Sequence, residues 1–346
     1  MIFPEYFRKG DTIAVTALSR GMEEELEIKR FNSARKALEQ RGFHVRFTEN
    51  VFAGNDRFGR SSPAKEKARQ LNELIADPQV KGIYSAAGGN FLAEMLPFVD
   101  IDAFRENPKW IQGFSDNTSI LHYLTTKADV ATAYGANFGD FGMRPWDRSV
   151  ETGLSILEGG TKTQTSFDTF QDGFRERLTG LEGYASDGKV EWKAVCKADT
   201  AGGISMEGRL IGGCLDVLIN IAGTPYDGTG EFIEKYKEDG ILWFFESFDL
   251  HFEHMMEALW KMKEMGWFEH VSGIVFGRPL FYRELSHDGS PLPTYEEVIR
   301  ERLDCLNVPV ITDADIGHKG PQFIMITGAL ARIECAGGKG KMTYLS

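Results

Sequence analysis

Cysteine is scarce in this sequence. Cys196, Cys214, Cys305 and Cys335 are widely separated and form no C-x-x-C pair, which excludes a disulfide framework and a zinc ribbon and leaves buried thiols as the expectation. No stretch approaches the roughly 18 apolar residues of a membrane-crossing helix. Positive charge is in deficit as well: 39 Lys and Arg stand against 51 Asp and Glu, a net charge of −12. That balance argues against a nucleic-acid polymer or an anionic membrane as partner. The first ten residues, Met1 to Gly10, have no basic, apolar and small-residue succession of a secretory signal, so the expected location is the cytoplasm. Neither a G-x-G-x-x-G nor a Walker pattern is present, which counts against a dinucleotide-dependent oxidoreductase. No cofactor is expected.

What is present reads as an α/β protein of two domains, as 346 residues would suggest. Up to residue 140, short β-rich runs such as Thr12–Thr16, Gly82–Ala86 and Trp110–Phe114 alternate with helical patterns, the signature of βαβ units and a parallel sheet covered on both faces. Residues 141–187 are rich in Gly, Thr, Asp and Ser with little apolar periodicity, and read as a linker excursion. Residues 188–346 form a second domain, with the apolar run Ile241–Phe245, helices at Cys214–Ala222 and Glu253–Met265, and a β-rich end. Met255, Met256, Met262 and Met265, with Leu259, Trp260 and Trp267, are expected to pack the core side of the second of these helices.

Gly113-Phe114-Ser115-Asp116-Asn117-Thr118 lies between a strand-like and a helix-like run. A serine at such a turn is placed as a nucleophile elbow places it, with Oγ exposed and the following N–H available to an oxyanion. Asn117 replaces the second glycine of G-x-S-x-G, and a plain helix cap is the competing reading. Gly88-Gly89 after the third strand allows a second oxyanion donor, a simple turn or a phosphate cradle. Of seven histidines, His318 lies in the glycine-flanked loop Ile316–Pro321, where side chains reach a cleft, whereas His44 and His122 fall within regular elements. Glu246 closes the apolar run, either to orient a histidine or to cap the next helix. His251-Phe252-Glu253-His254 and Asp313-Ala314-Asp315 do not have the H-E-x-x-H spacing, and no metal is assigned.

Taken in order, Gly88-Gly89, Leu96–Asp100, Gly113–Thr118, Gly208–Leu215, Phe244-Phe245-Glu246 and Gly317-His318 resemble the LD-carboxypeptidase family of serine peptidases, which includes murein tetrapeptide LD-carboxypeptidases and microcin C immunity peptidases. The resemblance implies Ser115 as nucleophile, Glu246 as orienting acid, His318 as general base, and the backbone N–H groups of Gly89 and Asp116 as oxyanion donors. It further implies a flavodoxin-like parallel-sheet N-terminal domain, a C-terminal swivelling β/α domain, a cleft between them and a homodimer. Ala87-Gly88-Gly89-Asn90-Phe91 stands where the murein type has Arg-Gly-Gly-Tyr-Gly, and Thr16-Ala17-Leu18-Ser19 where Ala-Pro-Ser is usual. These departures, with the long excursion, resemble the microcin immunity branch. The expected substrate is a small peptide or peptide–nucleotide conjugate, on whose base an aromatic group such as Trp192 or Phe91 is suited to stack.

Overall fold

The computed structural model describes residues 1–196 and 203–345. The chain divides into two compact units. Unit 1 comprises residues 1–162, 175–184 and 323–328. It contains β1 (Thr12–Thr16), α1 (Glu25–Gln40), β2 (His44–Phe47), α2 (Ala64–Ala76), β3 (Val80–Ser85), α3 (Ile101–Glu106), β4 (Trp110–Gly113), α4 (Thr118–Tyr123), β5 (Thr132–Tyr134) and α5 (Arg148–Leu157). The first five strands are parallel in the order 2-1-3-4-5, the doubly wound flavodoxin order. The strand Met325–Thr327 adds antiparallel to β5.

Sequence explains the central strands directly. Ile13, Ala14 and Val15 of β1, Ile83 of β3 and Ile111 of β4 are wholly buried, as strands covered on both faces require. Each such branched aliphatic side chain stabilises the fold by roughly 1.5–3 kcal/mol.

The expected boundaries at 140 and 187 do not describe this architecture. Residues 148–157 form α5, with Val150, Leu154, Ile156 and Leu157 buried; Gly and Thr between those residues dilute the helical signal. Residues 175–184 return to unit 1, where the buried Arg30 guanidinium donates to the carbonyls of Gly180 (3.0 Å) and Glu182 (2.9 Å), and Arg144 N–H donates to Leu181 O (2.8 Å).

Unit 2 comprises residues 163–174, 185–322 and 329–346. Its elements are β6 (Thr163–Thr165), the two-stranded ribbon β7 (Thr169–Phe170) and β8 (Gly188–Lys189), β9 (Lys193–Cys196), β10 (Ile204–Cys214), α6 (Leu215–Ile221), α7 (Thr229–Tyr236), β11 (Ile241–Glu246), α8 (Phe252–Glu264), β12 (Val271–Gly277), α9 (Tyr295–Leu303) and β13 (Val310–Ala314). The chain then supplies β14, the strand Met325–Thr327 of unit 1, before β15 (Leu330–Ala336) and β16 (Lys339–Tyr344). The eight-stranded sheet runs β6-β16-β15-β10-β11-β12-β13-β9. Its parallel core, β10 to β13, is flanked by antiparallel strands.

β11 is buried from end to end. Trp243 stacks on Trp267 at 5.3 Å between ring centres and donates its indole N–H to Trp267 O at 2.8 Å, so the one polar atom of that ring is satisfied. On α8, Met255, Leu259 and Met262 form the buried stripe, whereas Trp260 and Met265, expected in the core, are exposed. Positions 255, 259 and 262 follow the helical period, and 260 falls off it. Cys214 and Cys335 are buried thiols; Cys305 is exposed, contrary to expectation, at the end of a helix, and the Cys196 side chain lies outside the described residues. Among the described residues no helix is long and apolar enough to cross a membrane.

Candidate active site

In unit 1, β4 ends at Gly113 and Phe114 remains extended, but Ser115 takes a φ of +65° before the chain enters a 3-10 turn and α4. A left-handed serine is disfavoured and persists only where its surroundings enforce it. Several contacts do so. Ser115 N–H donates to Tyr134 Oη at 3.2 Å, and Thr118 Oγ1 donates to Ser115 O at 2.7 Å. The Asn117 amide donates to Phe114 O (2.8 Å), Ala87 O (3.2 Å) and Asn137 Oδ1 (3.3 Å). Asn117, which breaks the G-x-S-x-G pattern, thus ties the elbow to the neighbouring strand ends. It sits at the N-cap of α4 without making a side-chain capping bond, so the plain-cap reading does not account for it.

The loop after β3 lies against this turn. A Cβ on Gly88 would sit 2.9 Å from Ser115 Cβ and 3.1 Å from its Oγ, which is why a side chain is missing there. Gly89 has a φ of +150° and packs on Ser19, whose Cβ would lie 3.1 Å from a Cβ at that glycine. The Asp116 carboxylate is buried and accepts from Ser19 Oγ at 2.5 Å and from Leu92 N–H at 3.0 Å. Burial pushes its carboxyl upward despite those bonds. Asp116 thereby joins three loops, those after β1, β3 and β4.

In unit 2, Glu246 is fully buried at the end of β11, and His318 Nδ1 lies 2.7 Å from its Oε2. The His318 side chain is only 6% exposed. Burial disfavours its charged form, but the adjoining Glu246 charge and hydrogen bond outweigh this and raise the imidazole above its ordinary value. With Nδ1–H donating to the carboxylate, Nε2 carries the lone pair. Two glycines make the approach possible. A Cβ on Gly277 would strike Ile316 O, and one on Gly317, at φ +92°, would lie 2.6 Å from Glu246 Cβ. Gly317→Ala is therefore expected to displace the loop and break the Glu246–His318 contact, read by NMR as a His318 titration moved to lower pH, with circular dichroism unchanged.

The loop carrying His318 is held from below. Asp315 is wholly buried and accepts from Arg278 Nη2 (2.7 Å), Trp192 Nε1 (3.0 Å) and Phe167 N–H (3.2 Å). Trp192 is therefore a buried structural side chain rather than a stacking surface. Phe91 is 47% exposed on the loop after Gly89. The Phe248 ring lies 5.0 Å from the imidazole between centres, tilted 58° to it. Phe248 also packs on Phe281 and Phe174, at 5.3 and 6.3 Å.

Of the residues singled out from sequence, Glu246 and His318 are in direct contact in unit 2, and Ser115, Gly89 and Asp116 surround one turn in unit 1. His251 Nε2 lies 3.8 Å from Asp249 Oδ1, His254 is on α8, His270 just precedes β12 and His287 lies between β12 and α9. Tyr134, Asn137, Arg278 and Asp315 carry the support that sequence reasoning missed. Their signal is positional: Tyr134, Arg278 and Asp315 lie at or just beyond the carboxyl ends of parallel strands, where ligands of α/β sheets gather. Among the described residues, no three His, Cys, Asp or Glu side chains form a metal-ligand group.

A serine on an enforced left-handed turn and a buried carboxylate–imidazole pair are the parts of a serine hydrolase. Residues 13–135 match the family model of the LD-carboxypeptidase N-terminal domain, and residues 207–333 that of the LD-carboxypeptidase C-terminal domain. The chain belongs to the LD-carboxypeptidase family. It is 30% identical over 317 residues to the microcin C7 self-immunity protein MccF of Escherichia coli, covering 88% of this chain and 85% of that protein. Two solved structures superpose along its whole length. The MccF-like protein from Bacillus anthracis has a TM-score of 0.80 at 26% identity, covering all of both chains. MccF in complex with aspartyl sulfamoyl adenosine has a TM-score of 0.80 at 25% identity, covering 100% of this chain and 99% of the other.

Proposed function

We propose that this protein is a serine peptidase that cleaves the amide at the C-terminal end of a small peptide or peptide–nucleotide conjugate, acting in the cytoplasm as a homodimer. The observation that carries the reading is the buried Glu246–His318 contact of 2.7 Å, with Nε2 left as the base. In this reading His318 Nε2 takes the proton of Ser115 Oγ as Oγ bonds to the substrate carbonyl carbon. The backbone N–H groups of Gly89 and Asp116 receive the oxyanion. The C–N bond breaks, the imidazolium gives its proton to the leaving amine, and water then hydrolyses the acyl-serine ester by the same route.

Two observations favour an aminoacyl-nucleotide conjugate over a murein tetrapeptide. MccF, which shares the fold, binds aspartyl sulfamoyl adenosine. Beside the dyad, Phe174 and Phe281 are 67% and 42% exposed and flank Phe248, an aromatic surface suited to a planar base. Incubation with an aminoacyl sulfamoyl adenosine and, separately, with an L,D-tetrapeptide, followed by mass spectrometry, tests the choice. Release of sulfamoyl adenosine supports the conjugate reading, and release of terminal D-alanine alone transfers it to the murein type. Turnover of neither, with no labelling of Ser115 by a fluorophosphonate, points to a non-catalytic binding protein.

A further inference from the structure

Asp216 lies in the first turn of α6, immediately beyond the end of β10. β10 runs beside β11 with Cys214 opposite Glu246. The Asp216 carboxylate is half-buried, and both of its oxygens are engaged by the turn that follows Glu246. Oδ2 accepts from Phe248 N–H at 2.9 Å and Oδ1 from Asp249 N–H at 2.8 Å. Cys214 Sγ stands 3.5 Å from Oδ2. The far side of the same turn is pinned by Leu280 N–H to Ser247 O (3.0 Å) and Phe281 N–H to Phe248 O (2.9 Å). The turn is thus fixed from both sides, and what it presents is the Phe248 ring, 5.0 Å from the His318 imidazole between centres and tilted 58° to it.

We propose that Asp216 is a positioning residue of the Glu246–His318 dyad: its carboxylate fixes the 247–249 turn, and through the Phe248 ring holds the imidazole in line with Glu246. The inference rests on the peptidase reading above for its consequence in catalysis, though the geometry belongs to unit 2 alone. Two bonds from backbone N–H groups to one carboxylate are charge-assisted and stronger than their neutral counterparts, so the turn is held firmly without Asp216 touching the imidazole. The charge acts a second way. Among the charges described around His318, Glu246 from β11 and, at longer range, Asp216 from α6 both favour the imidazolium. Nearby cations are engaged elsewhere, Lys319 by Asp172 at 2.7 Å and Arg278 by Asp315 at 2.7 Å. A purely structural tether would hold the turn but leave the titration of His318 unmoved.

That difference is the test. Asp216→Asn keeps the shape and one acceptor but removes the charge. It is expected to lower kcat/KM about tenfold and to move the His318 titration, followed by NMR of the imidazole carbon-bound protons, to lower pH. An Asp216→Asn protein whose His318 titrates as in the wild type overturns the proposal, whatever its activity. If this variant does not fold, Asp216→Ser is read in the same way, and failure of both to fold assigns the carboxylate to stability and also overturns it. The imidazole titration needs no turnover, so an inactive wild type with no labelling of Ser115 counts against the peptidase reading and leaves this measurement intact.

Discussion

Ser115→Ala is expected to lower kcat by roughly 10⁵–10⁶-fold, the loss incurred when the nucleophile of a serine peptidase is removed, while the melting temperature stays within a few degrees of the wild type. The stability expectation follows from how the turn is held. The contacts described around it engage Ser115 through its backbone N–H and carbonyl, by Tyr134 and Thr118, and alanine keeps both. Alanine at φ +65° carries no more Cβ than serine did, so the enforced conformation persists. Steady-state hydrolysis and thermal unfolding of the same preparation check the pair. Wild-type turnover in a folded Ser115→Ala protein would sink the nucleophile assignment.

Glu246→Gln is the second large effect, a fall of about 10⁴-fold in kcat with the fold retained. The amide is nearly isosteric and fits the space that Gly277 and Gly317 leave. Its NH₂ group, however, donates to Nδ1 instead of accepting, which places the imidazole proton on Nε2 and removes the lone pair needed as base. The pH response has a definite sign. In the wild type the carboxylate raises His318 above its ordinary 6.5, so the rate climbs with pH through that raised value. Without the negative charge, burial dominates and the acid limb moves to lower pH. Stability shows the matching linkage: the contribution of the His318–Glu246 ion pair is complete below the unfolded imidazole value of 6.5 and fades as pH rises through the folded one. Urea unfolding across that range should therefore show a slope in the wild type that Glu246→Gln lacks.

How far the sequence discloses the site differs residue by residue. Glu246 is legible because it ends a run, Ile241–Phe245, too apolar to be anything but a covered strand. Ser115 is legible because a β-like run stops and a helical one begins within a few residues of it. Its left-handed backbone is not, since the enforcing groups, Tyr134 and Asn137, come from and just after the next strand and meet it only once β4 and β5 pair. The Glu246–His318 contact joins residues 72 apart, a distance over which periodicity carries no information; what connects them in the sequence is a carboxylate closing a buried strand, a histidine in a glycine-flanked loop, and the ordered resemblance. Likewise α5 was obscured by the small residues between its buried positions, and nothing in Met325–Thr327 marks it as the partner of β5 rather than of the neighbouring β15.

That last strand has a consequence for how the protein is made. Thr132 of β5 and Thr327 of β14 share a hydrogen-bond cluster across 195 positions of chain. During synthesis the first five strands emerge early, yet the outer margin of β5 has no partner until nearly the whole polypeptide has left the ribosome. Through that interval the nascent sheet displays open N–H and C=O groups, the feature that invites wrong pairing. Unit 1 therefore matures late although it begins first. A protein released just before residue 325 would carry the entire nucleophile turn on a sheet with an unsealed margin.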